Sequence, residues 1–152
     1  MPFSTSIHDY EIDQLFRRFR RVIGDSNWRQ RVKKLDEEIR GNKFLRHHHI
    51  LANDIAYQLC HCSDLERQYG ALPIGQVDLS PVYPALAFAS HCLSTLKRMD
   101  AANRTRAIGR IQGAFRNPED MRALQLEFTV GLHFAKRGHR LAWPELETGR
   151  DT

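Results

Sequence analysis

The chain has 152 residues, 41% apolar and 27% charged, with a formal net charge of +5. That is enough for one compact domain with a real core, or one domain and part of another, and it is too apolar for a disordered chain. The least polar stretch, PALAFASHCL, is too short and interrupted to cross a bilayer, no basic-then-apolar leader is visible, and Cys60, Cys62 and Cys92 have no disulfide-framework spacing. A reduced, cytoplasmic protein without a membrane partner is expected, and the positive charge leans towards a polyanion.

The first segment, SIHDYEIDQLFRRFRRVIG, places Ile12, Leu15, Phe16, Phe19, Val22 and Ile23 at helical spacing. Ser6 and Asp9 suit its N-terminal cap and Gly24 its end. Arg17 and Arg21 fall opposite the apolar stripe, with Arg18 and Arg20 on its flanks. A second helix, between Ser26 and Gly41, carries Trp28, Val32, Leu35 and Ile39 on one face.

A third helix is expected to run unbroken through Phe44, His48, Leu51, Ile55, Leu59 and Cys62. The capping-box spacing of SDLE at 63–66 predicts a short helix restarting there and ending at Gly70. ALPIGQVDLSPVYP reads as an internal loop, because proline and glycine interrupt it. Helix resumes near Pro81–Ala85, through Leu86, Ala89, Leu93, Leu96 and Met99, and another helix follows around Ile108, Ile111 and Phe115.

NPED at 117–120 opens the last helix: Asn117 caps, Pro118 fits the first helical position, and two acids suit the positive end of the dipole. The helix runs to Lys136 or Arg137 and stops at Gly138. HRLAWPE, starting near Arg140, then alternates like a short strand. On the helix, Met121, Leu124, Phe128, Leu132 and Ala135 form one apolar arc, and Ala123, Leu126, Val130 and Phe134 a second. Two such arcs predict burial on two sides, by the helical body and by something further. Glu127 lies between them, with small Ala123 and Gly131 one turn away on either side. A carboxylate withdrawn from water needs a partner, so Glu127 is expected either to pair with an arginine or to serve a site.

A helix carrying an acid, followed by GHRLAWPELE, resembles the opening of the PD-(D/E)XK nuclease fold over about residues 118–151. The resemblance implies that Glu127 matches the helix acid, HRLAWPE matches the first strand, and later strands supply the rest of a Mg²⁺ site at a scissile phosphate. No PD motif and no acid-x-Lys motif occurs in the sequence, and no lysine follows Asp151. Cleavage needs several carboxylates on the metal. The expectation is therefore the front part of a longer nuclease, inactive by itself and without a cofactor of its own: a helical domain over 4–116, then the first helix and strand of an α/β domain over 117–152. The fold class expected is mostly α.

His47, His48, His49, Cys60, His61 and Cys62 are ligand-type residues, but along a helix they diverge, and no zinc is expected. The cysteines have no activating motif and read as small buried residues. Arg17, Arg18, Arg20, Arg21, Arg29, Arg31, Lys33 and Lys34 lie within eighteen residues that hold one acid, Asp25. Arg104, Arg106 and Arg110 add a second basic face. Such clusters can contact the phosphates of DNA or RNA without reading sequence. The alternative to the nuclease is a self-contained helical interaction module whose basic surface binds nucleic acid or an acidic protein.

Overall fold

In the computed structural model, residues 9–136 are described, and among them lie seven α-helices and no strand. The apolar spacing of the first segment becomes burial along α1 (Asp9–Ile23), where Ile12, Phe16, Phe19 and Ile23 are almost fully enclosed. Gly24 ends it with φ +88°, a left-handed conformation that glycine adopts without a Cβ clash. α2 (Ser26–Glu38) buries Trp28 and Leu35 as its spacing predicts.

The expected third helix is two helices. α3 (Lys43–Ala52) and α4 (Asp54–Tyr69) are separated by Asn53 at φ −121° and ψ 35°. The side chain of Asn53 donates to the His49 carbonyl at 3.0 Å and accepts from Arg31 Nε at 3.3 Å. Asparagine competes in this way with the helical ladder, which is why it ends helices. The apolar stripe breaks with the helix: Ile55, Leu59 and Cys62 are buried, whereas Phe44 and Leu51 face solvent. No new helix starts at SDLE. α4 runs through it to Gly70, at φ +80°, and Ser63 is buried inside the helix rather than capping one.

Residues 71–79 form the expected loop, and Leu72 N donates to Asp13 Oδ1 at 3.1 Å, tying the loop to α1. A 3-10 turn (Ser80–Val82) leads into α5 (Tyr83–Lys97), whose free Ala85 N–H is capped by Gln58 Oε1 of α4 at 2.9 Å. α6 (Ala101–Ala114) and α7 (Pro118–Lys136) follow. Asn117 caps α7 as expected: its Oδ1 accepts from Asp120 N at 2.8 Å while its Nδ2 donates back to the Asp120 carboxylate.

α5 is the central helix, packed against α1, α4, α6 and α7. Ala85, Ala89 and Cys92 let neighbours approach, and Leu86, Phe88 and Leu96 fill the space between them. An aromatic cluster joins the layers. Phe19 stacks on Trp28 at 5.6 Å between ring centres, and Phe88 meets Phe19, Phe115 and Phe128 at 6.1–6.3 Å. The core is continuous into α7, through Met121, Leu124 and Phe128. Gln112 Nε2 of α6 donates to the Ile23 carbonyl at 2.9 Å, closing the end of α1.

The outer arc of α7 is solvent-facing where it is described: Leu126 is 64% exposed and Val130 45%. The strand expected near Arg140, the stop at Gly138 and the Ser6 cap fall outside the described residues. No described helix is long and apolar enough to cross a membrane.

Candidate anion-binding groove

α1 and α5 lie side by side, and their outer edges leave a groove of about 300 Å³. From α1 come Gln14, Leu15 and Arg18; from α5 come Ser90, Leu93, Ser94 and Lys97. The α5 residues recur at helical spacing, so one face delivers all four. Leu15 and Leu93 are half-buried against the core and form the floor, while Arg18 and Lys97 reach solvent. Two hydroxyls, a carboxamide and two cations line the groove, with no carboxylate. Among the described residues neither Arg18 nor Lys97 is held in an ion pair.

Lys97 stands in the last turn of α5, where the exposed carbonyls would ordinarily repel an anion. Arg104 offsets this. Its Nε donates to the Leu96 carbonyl at 3.1 Å and its Nη2 to the Met99 carbonyl at 3.0 Å, so that helix end carries a guanidinium.

The eight basic residues grouped by the sequence are dispersed by the fold. Arg18 alone lines this groove. Arg17 pairs with Asp13 at 3.4 Å, Arg20 with the buried Glu66, and Arg29 with Asp25 at 2.9 Å and Asp64 at 3.9 Å. Arg31 holds Asn53. Arg21, Lys33 and Lys34 are exposed. Lys33 lines a second groove, between α2 and α4, in which Arg29, Lys33 and Arg40 are matched by Asp36, Glu37 and Asp64. One groove is charge-balanced; the other is cationic. Sequence reasoning missed Ser90, Ser94 and Lys97, whose only signal was their shared helical face.

Glu127 lies on the inner flank of α7, its side chain 25% exposed, with Oε1 3.8 Å from Arg110 Nη2. A Mg²⁺ site needs several oxygen ligands. Here the acid stands beside a cation, and no group of three His, Cys, Asp or Glu is placed to hold a metal among the described residues. The described residues do not fit such a site.

The thiols are held protonated. Burial pushes Cys60 and Cys62 up to about 12 and Cys92 well above the ordinary range, and the nearby Glu66 carboxylate adds to the rise at Cys62. A protonated thiol is a poor nucleophile and a poor metal ligand. No family model matches the sequence, and neither the curated proteins nor the solved structures contain a significant match to it.

Proposed function

We propose that this helical domain binds a phosphate-bearing polyanion, nucleic acid in the first place, and that the α1–α5 groove is its anchoring point. The observation that carries the reading is the contrast between the grooves: Arg18 and Lys97 share a lining without any acid, while the basic residues of the α2–α4 groove face as many carboxylates. A guanidinium fork, an ammonium and two hydroxyls are the donors that phosphate oxygens take. No aromatic ring lines the groove, so nothing there stacks on a base, and recognition rests on the backbone. Arg21, one turn along α1 from Arg18, extends the positive edge.

The nuclease reading asks for further carboxylates at Glu127, and the pairing with Arg110 supports a structural role for that residue instead. Binding without cleavage is the preferred function. A labelled DNA duplex titrated over a range of salt tests it. Replacing Arg18 and Lys97 together with glutamine should weaken binding and reduce the slope of log K against log salt by about 2. The same change at Arg29 and Lys33 should leave most of the slope. An unchanged slope in the first variant rejects the groove.

A further inference from the structure

We propose that α3 is a docking helix that inserts its outward face into an apolar, carboxylate-rimmed groove of another protein. Phe44 is 86% exposed and Leu51 65%, the two most exposed large apolar residues among those described. With His47 and His48 they recur at i, i+3, i+4 and i+7, so all four share one face. That is the anchor pattern of a helix read by a groove, with the outer anchors about 10 Å apart. The opposite side, through His49, Ile50 and Ala52, is half-buried, and α3 packs on α4. Turning Phe44 and Leu51 outward adds nothing to the core of the fold. A local choice that conflicts with folding is expected at functional sites.

The helix is fixed at both ends. Asn42 Oδ1 accepts from Leu45 N at 3.2 Å, and Asn53 holds the His49 carbonyl while Arg31 holds Asn53. Ten residues are too few for a helix that stands alone in water, so these caps keep the face formed before any partner arrives. Binding then avoids the ordering cost that a disordered segment would carry.

Charge selects the partner. Within α3 the sequence has Lys43, Arg46 and three histidines, and no acid. A second copy would bring two such helices together in a chain of net charge +5, which like-charge repulsion opposes. A bilayer would place the two imidazoles between the anchors in hydrocarbon, without hydrogen-bond partners. A protein groove with two apolar pockets and acidic side chains between and around them satisfies both the anchors and the imidazoles.

The experiment uses the full chain with a benzophenone side chain in place of His48, photolysed in an extract of the source cells. The cross-linked protein is identified, purified and titrated against the unlabelled chain. The expected result is saturable binding that falls at least tenfold in Phe44→Ala and in Leu51→Ala, severalfold in Arg46→Gln, and not in Leu126→Ala. Because the two anchors are exposed, melting followed by circular dichroism should be unchanged in both alanine variants. Three results overturn the proposal: no cross-link that depends on Phe44, a cross-link to a second copy of the chain, or Phe44-dependent sedimentation with phosphatidylserine–phosphatidylcholine vesicles in place of a protein.

Discussion

The indole N–H of Trp28 donates to the hydroxyl of Ser63 across 3.2 Å, joining α2 to α4 inside the aromatic cluster. Trp28 is fully enclosed and Ser63 nearly so, and Phe19 stacks on the indole. Trp28→Phe keeps most of the apolar volume but removes the donor and leaves a void beside a buried hydroxyl. The expected loss is about 2–3 kcal/mol, read from the midpoint of urea unfolding. Ser63→Ala should cost less. In the double variant the losses should be less than additive, and strict additivity would show that the bond contributes nothing.

The pair of Arg20 and Glu66 is asymmetric. The Glu66 side chain is 8% exposed and that of Arg20 40%, and Glu66 Oε2 is buried without a hydrogen-bond partner. Arg20→Gln strands a carboxylate in the interior, and the expected loss is about 3 kcal/mol at neutral pH. Glu66→Gln leaves a guanidinium that can turn to water, so its cost should be clearly smaller. Thermal melts of the two variants decide, and equal losses would contradict the asymmetry.

Glu127→Gln tests the role of that acid. Its distance to Arg110 is 3.8 Å and both side chains are partly exposed, so an ordinary ion pair predicts a loss of about 1 kcal/mol or less. The loss should shrink at high salt. A gain in stability would mean that Glu127 is crowded rather than paired, as an acid built for a metal site would be.

The buried thiols set a pH limit. Burial first and Glu66 second push the Cys62 thiol up to about 12 in the folded chain, from 9.0 ordinarily. Below pH 8 both states keep the proton and stability is unaffected. Above about 9 the unfolded chain loses a proton that the folded chain retains, so stability falls with rising pH. Cys62 contributes about 1.4 kcal/mol per pH unit to that fall. Urea midpoints between pH 8 and 10.5 should fall less steeply in Cys62→Ala than in the unaltered chain.

Local spacing made much of this fold legible. The stripes of α1, α2 and α5, the glycine stops at Gly24 and Gly70 and the Asn117 cap follow from side-chain geometry within a few residues. The α3–α4 break was missed because the apolar register continues across Asn53, and a tertiary bond from Arg31 favours the turn. Ser63 has the spacing of a cap, yet Trp28, distant in sequence, determines its role. The groove was less legible still. Counting cations along the chain groups Arg18 with Arg17, whose acid Asp13 is one turn away on the same helix, and with Arg20, whose acid Glu66 arrives only on folding, and separates it from Lys97, which shares its groove.

The bond from Gln112 to the Ile23 carbonyl has a consequence for the order of folding. α1 is synthesised before α5 and α6, which cover its apolar stripe, and Phe115 completes the ring around Trp28. Contacts so distant in sequence slow the folding of a helical protein. At ordinary translation rates, Phe19 precedes Phe115 out of the ribosome by about 5–20 s. Until the α6 segment emerges Trp28 lacks Phe115 and the end of α1 lacks Gln112, so a chain interrupted before α6 leaves that side of the aromatic cluster open. A helix made before α5 is sealed only after α6 has arrived.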